Sequence, residues 1–137
     1  MQTVVVALAN QKGGVGKTTT AINFSACLAE KNKRILLVDL DPQANATSGL
    51  GVEKTPGASI FPALLGECSG LDKIQSTAVK NLDIIPSELD LAGAEIAIAR
   101  HDDYLHKLKT ALEPIISSAR YDVILLDCPP SLGILFM

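Results

Sequence analysis

Asn10-Gln11-Lys12-Gly13-Gly14-Val15-Gly16-Lys17-Thr18-Thr19 stands between an apolar run, Val4-Val5-Val6-Ala7-Leu8, and an amphipathic stretch that begins near Thr18. A glycine-rich loop that leaves an apolar strand and enters a helix is the layout of a phosphate-binding loop. Without Cβ atoms its backbone N–H groups can turn inward and crowd a polyphosphate. The helix that follows aims its unpaired N–H groups and positive dipole end at the same anion.

The spacing departs from the common form G-x-x-x-x-G-K-[ST], which would place glycine at position 11, where Gln11 stands. A dinucleotide reading G-x-G-x-x-G fails as well, because its third glycine would fall on Thr19. K-G-G-x-G-K-[ST]-T fits residues 12–19, and this is the deviant Walker A loop. A helix dipole contributes roughly 0.3–1 kcal/mol. Each hydrogen bond to a charged group contributes roughly 1.5–3 kcal/mol. Converging amides from Gly13, Gly14, Val15, Gly16 and their neighbours, together with Lys17, therefore outweigh the dipole. Lys17 is expected to reach the β- and γ-phosphates and the Thr18 hydroxyl to ligate Mg²⁺, with Thr19 closing the loop. Lys12 is not needed for that cradle and reads as a charge-stabilising group.

The remaining sequence supplies carboxylates where such a loop needs them. Arg34–Leu40 carries Ile35, Leu36, Leu37 and Val38 and ends in Asp39-Leu40-Asp41-Pro42. Tyr121–Leu126 is a further apolar strand and ends in Asp127-Cys128-Pro129-Pro130. In open α/β sheets ligands bind beyond the carboxyl ends of the strands, so the glycine loop, Asp39/Asp41 and Asp127 are expected to converge. Asp127 has the setting of a Walker B aspartate holding Mg²⁺, usually through water. Asp41 is assigned to the γ-phosphate, positioning the attacking water or a Mg²⁺-bound water, which makes it a candidate metal ligand too. Asp39 is divided between a structural and a site role, since two carboxylates side by side resist joint ionisation.

Between these landmarks the order is strand, helix, strand, variable region, strand, helix, strand, which predicts a parallel α/β sheet. Thr3–Ala9 is expected to be a strand buried on both faces. The first helix, from about Thr18 to Lys31, is expected to present Ala21, Phe24 and Leu28 on one side. Residues 43–81 are punctuated by Gly49, Gly51, Pro56, Gly57, Pro62, Gly66 and Gly70, leaving room for short helices only. Leu82–Pro86 reads as a short strand. Ser87 with Asp90 reads as a capping-box start of a helix through Ile98. A longer helix from near Asp102 has Leu105, Leu108, Leu112 and Ile115 at helical spacing, and Pro114 should end or kink it.

At 137 residues and 47% hydrophobic content the chain suits one domain with a packed core, burying roughly 68% of its unfolded surface. A formal charge of −3 argues against a surface that coats nucleic acid generally. The cluster Lys31, Lys33, Arg34 reads as a solvated C-terminal turn. No signal peptide is recognisable, and no run approaches the 18 apolar residues of a membrane span. Cys27, Cys68 and Cys128 are scattered without a C-x-x-C pair, which favours inert thiols in a reducing cytosol over metal ligation.

Three segments together carry a family resemblance: Gln11 to Thr20, Asp39-Leu40-Asp41-Pro42-Gln43-Ala44-Asn45-Ala46-Thr47, and Asp127-Cys128-Pro129-Pro130-Ser131. On these the chain resembles the N-terminal part of a ParA/Soj-type partition ATPase of the deviant-Walker (ParA/MinD) group, from the first strand to the last residue. The resemblance implies a parallel-sheet P-loop NTPase with an incomplete C-terminal half, residues 1–137 being the N-terminal part of a single nucleotide-binding domain. It implies ATP and Mg²⁺ as cofactors and a cytoplasmic, nucleoid-associated ATPase of chromosome or plasmid partitioning. Lys12 would be the signature lysine, reaching the nucleotide of the opposite subunit in an ATP-bound sandwich homodimer. A ParB-type partner would stimulate hydrolysis, and the full-length protein would bind DNA non-specifically, with no membrane role.

Family members are about twice as long. The later strands, the adenine-recognition segment and the basic DNA-facing surface are missing, so a fragment or truncated product is expected, with an exposed apolar sheet edge. A MinD-like division-site ATPase would need a C-terminal amphipathic helix, and its second motif does not read Asp-Pro-Gln. An iron–sulfur reductase of the nitrogenase iron-protein type would need cysteines placed to bridge a dimer. A truncated, non-catalytic nucleotide-binding module is the remaining alternative.

Overall fold

The computed structural model describes residues 2–8, 15–97 and 101–129, without the side chains of residues 15, 17, 95–97 and 101–102. The strands are β1 (Val4–Leu8), β2 (Ile35–Asp39), β3 (Gln75–Ser76), β4 (Leu82–Ile85) and β5 (Val123–Asp127). The helices are α1 (Val15–Glu30), α2 (Asn45–Gly49), α3 (Phe61–Leu64), α4 (Leu91–Ala97) and α5 (His101–Ser117), with a 3₁₀ turn at Gly70–Lys73. The sheet order is β1-β5-β2-β4-β3. The first four strands in that order run parallel, and two-residue β3 adds an antiparallel edge that the sequence did not announce.

Parallel central strands are covered on both faces, and alternation along each strand sorts the two sides. Leu36 and Val38 of β2 and Ile124 and Leu126 of β5 pack with Leu108, Leu112 and Ile115 of α5. Ile35 and Leu37 of β2 and Leu125 of β5 pack instead with Ala21 and Ala29 of α1. The result is a helix–sheet–helix sandwich whose β2 is buried at every position. Each fully buried Leu or Ile contributes roughly 1.5–3 kcal/mol, so β2 and β5 form the anchor of the fold.

Several expectations change here. Among the described residues β1 has one strand neighbour, β5, so Val4 and Val5 are 55% and 42% exposed rather than buried on both faces. Helix α1 turns Ala21, Ser25 and Ala29 inward at i, i+4, i+8, whereas Phe24 is 48% exposed. Small side chains let the helix sit close to the sheet; Phe24 lies about 100° round the helix from Ser25 at the middle of that line. Ser87 is not a helix cap, because α4 begins four residues later at Leu91. The expected helix end at Ile98 lies outside the described residues. Pro114 does not end α5, which runs to Ser117. Tyr104 joins the α5 core face at 2% exposure, one residue before the expected Leu105.

Candidate nucleotide-binding site

Helix α1 starts at Val15, directly inside the glycine loop. Its first N–H groups lack intrahelical acceptors and its dipole adds positive character there. Gly16 and Thr19 are exposed on this first turn, while Thr18 is buried at 6% exposure. Lys12, Gly13 and Gly14 lie outside the described residues, and so do the side chains of Val15 and Lys17.

The carboxylates reach the site through strand parity. Asp39 and Asp127 are register partners at the carboxyl ends of β2 and β5. Both have the odd parity of Ile35, Leu37 and Leu125, and so belong to the α1 side of the sheet. On that side the Thr18 hydroxyl donates to Asp127 Oδ2 at 3.3 Å, joining residues 109 apart in sequence. Asp127 is fully buried. A buried hydroxyl beside a buried carboxylate at a helix N-terminus is a hard oxygen donor set, which suits Mg²⁺. Among the described residues no three His, Cys, Asp or Glu side chains gather as a metal cluster. Cys27 is exposed, Cys68 half-buried and Cys128 buried, all as free thiols.

Asp39 has a different environment from its neighbour. Its Oδ2 accepts from the Thr47 amide at 2.9 Å and the Thr47 hydroxyl at 2.7 Å, and its Oδ1 accepts from the Asp41 amide at 3.1 Å. These bonds favour the carboxylate, yet burial outweighs them and, with the nearby Asp127, pushes Asp39 up to about 6. Asp41 is only half-buried, and its Oδ1 accepts from the Gln43 amide at 3.0 Å. The chain leaves β2 after Asp39, so the two carboxylates are not stacked along one strand. Its described hydrogen bonds run to Thr47 and the Asp41 amide, which favours the structural one of the two roles left open by the sequence.

The turn after Asp41 is held from several directions. Ala44 adopts φ 58°, a left-handed conformation that costs a non-glycine residue roughly 1–2 kcal/mol. Its amide donates to the Asp41 carbonyl at 2.9 Å. Ser87, just past β4, donates from its hydroxyl to that same carbonyl at 2.5 Å, and its amide donates to the Thr47 hydroxyl at 2.8 Å. Next to it, Glu88 is buried at 2% exposure and accepts from the Gly57 amide at 2.9 Å, the Ser59 amide at 3.2 Å and the Ser59 hydroxyl. Sequence reasoning missed Thr47, Ser87 and Glu88 as parts of this surround. Thr47 closes the Asp39-to-Thr47 motif and could have been flagged there; the local signal at Ser87 pointed to a helix cap instead, and Glu88 carried none.

A mostly parallel sheet with a glycine loop after its first strand, and aspartates closing its second and fifth, defines a P-loop NTPase. The chain belongs to the AAA domain family, whose model matches residues 3–137. It is 51% identical over 132 residues to the sporulation initiation inhibitor protein Soj of Bacillus subtilis, covering 96% of this chain and 51% of that protein. Over the same length it is 45% identical to the chromosome partitioning protein ParA of Caulobacter vibrioides, covering 96% of this chain and 49% of that one. Among solved structures, it superposes with a TM-score of 0.86 and 41% identity on a cobyrinic acid a,c-diamide synthase from Mycobacterium smegmatis. That protein was solved with an ATP analogue and magnesium, and the match covers 98% of this chain and 54% of the other. The chain spans about half the length of the curated relatives it matches. None of its described helices is long and apolar enough to cross a membrane.

Proposed function

We propose that this chain is the N-terminal part of a single ParA/Soj-type nucleotide-binding domain, residues 1–137, in a Mg²⁺-dependent ATPase of chromosome or plasmid partitioning. The observation that carries the reading is the Thr18–Asp127 hydrogen bond, which brings the loop hydroxyl and a strand-end carboxylate to one buried point. Gly13, Gly14, Val15 and Gly16 supply amides to the phosphates, Lys17 neutralises the β- and γ-phosphates, and Thr19 completes the loop. Thr18 and Asp127 would hold Mg²⁺, with Asp41 beside them. When bound, the ion neutralises charge on the phosphate oxygens. Asp41 orients the water that attacks the γ-phosphate. Lys12 stabilises the leaving charge from the partner subunit of an ATP-dependent sandwich homodimer. In the full-length protein that dimer binds DNA non-specifically, works at the nucleoid and answers to a ParB-type partner.

Two substitutions in the full-length protein test this. Lys17→Ala is expected to abolish ATP binding in calorimetry; unchanged affinity would remove the loop assignment. Asp41→Ala is expected to keep ATP binding and lose turnover, and normal hydrolysis by that variant would refute the role of Asp41.

A further inference from the structure

We propose that Ser87 and Thr47, through Asp39, are positioning residues that hold the backbone of Asp41 in register with the phosphate end of the site. This rests on the reading of Asp41 as the group that orients the attacking water.

Asp41 lies beyond the last residue of β2, so the strand ladder does not hold it. Both of its backbone groups are nevertheless fixed by side chains. Its amide donates to Asp39 Oδ1, and its carbonyl accepts from the Ser87 hydroxyl. The two holders are themselves linked through Thr47. The Thr47 hydroxyl donates to Asp39 Oδ2 and accepts from the Ser87 amide. The bonds therefore run from Asp41 to Asp39, Thr47, Ser87 and back to Asp41. Asp39, Thr47 and Ser87 are each fully buried, whereas Asp41 is partly open. Such a ring fixes one half-buried carboxylate on a dry, hydrogen-bonded base.

Geometry makes the hydroxyls specific to this task. A hydroxyl both donates and accepts, and Thr47 uses both capacities at once. Ser87 comes from the end of β4, the neighbour of β2, and so ties the Asp41 turn to a different strand. The left-handed Ala44, bonded to the same Asp41 carbonyl, shows that the turn is held in a conformation it would not select alone. Because a displacement of about 1 Å in a positioning group can lower a rate on the order of a hundredfold, loosening the ring should appear in turnover before it appears in binding.

The test uses the full-length protein with ATP and Mg²⁺ and compares Ser87→Ala, Thr47→Val, Thr47→Ser and Asp41→Ala. Ser87→Ala and Thr47→Val are expected to lower kcat by roughly tenfold to a hundredfold, with KM for ATP unchanged within about twofold. Thr47→Ser, which keeps the hydroxyl, is expected to recover most of the rate lost in Thr47→Val. If Asp41→Ala is inactive while Ser87→Ala keeps the parental kcat, the positioning role is overturned and the reading of Asp41 survives. A rise in KM without a fall in kcat overturns it equally. If Asp41→Ala hydrolyses normally, the underlying reading falls and the positioning role with it. Should Thr47→Val not fold, Ser87→Ala alone decides, because it removes one hydroxyl and leaves the Asp39–Thr47 bonds in place.

Discussion

Asp39→Asn separates two opposing influences on a fully buried acid of the site. The carboxylate accepts three hydrogen bonds, from Thr47 twice and from Asp41, which alone would draw its pKa down. Burial is the larger influence and raises it from 3.8 to about 6. The unfolded chain keeps the ordinary value, so the folded state binds this proton more tightly. The Asp39 contribution to stability is therefore fully present below pH 3.8 and is lost as pH rises toward 6. Above that it is a constant deficit. Two pKa units correspond to about 3 kcal/mol. Asparagine carries no such titration, which makes the variant the internal reference. Urea unfolding of both proteins at pH 4, 5, 6 and 7, without nucleotide or magnesium, gives the stability difference at each pH. The wild type is expected to lose about 2.4 kcal/mol relative to Asp39→Asn between pH 4 and pH 7. A flat difference would refute the argument. A wild type that gains on the variant as pH rises would mean that the hydrogen bonds, not burial, dominate.

Two further expectations concern the frame around the site. A Cβ at Gly70 would lie 2.5 Å from the Ala111 carbonyl of α5 and 3.1 Å from Ile115 Cδ1. Gly70→Ala should therefore lower the urea-derived stability by roughly 1–3 kcal/mol. At Gly49 the added Cβ meets only the mobile end of Ile22, so Gly49→Ala should cost less; equal losses would contradict the backbone-clash account. Tyr121 donates to Asp83 Oδ2 at 2.6 Å, and burial with that carboxylate pushes its phenol above the ordinary 10. Tyr121→Phe should cost about 1.5 kcal/mol. Subtracting its alkaline absorbance titration from that of the wild type should show no phenolate from Tyr121 below pH 10.

Legibility in the sequence followed the range of the interactions. Ile35-Leu36-Leu37-Val38 and Val123-Ile124-Leu125-Leu126 are apolar without interruption, and a strand buried on both faces is written in just that way. They appear as β2 and β5, shifted by a residue or two. Leu108, Leu112 and Ile115 likewise mark the buried face of α5 because helical spacing is a local property. The reading of the glycine loop rests on the same kind of local property, glycine's tolerance of crowded backbone, and Lys12, Gly13 and Gly14 themselves lie outside the described residues.

Other features depend on what lies opposite, and one segment cannot report that. Val4 and Val5 have the composition of a central strand, but β1 has β5 on one side and no second strand among the described residues. Phe24 is as apolar as any core residue, yet the sheet accepts the smaller ridge of Ala21, Ser25 and Ala29. Ser87 has the sequence of a helix cap and is used instead by the Asp41 carbonyl, 46 residues away.

Sequence alone determined the class of fold, the loop that opens α1 and the identity of the acids at the strand ends, because propensity, periodicity and glycine geometry act over a few residues. Tertiary structure decided which acid is buried, which hydroxyls fix the backbone of Asp41, and that Thr18 meets Asp127 across 109 residues. Those outcomes follow from strand order and side-chain parity, which exist only once distant segments have paired.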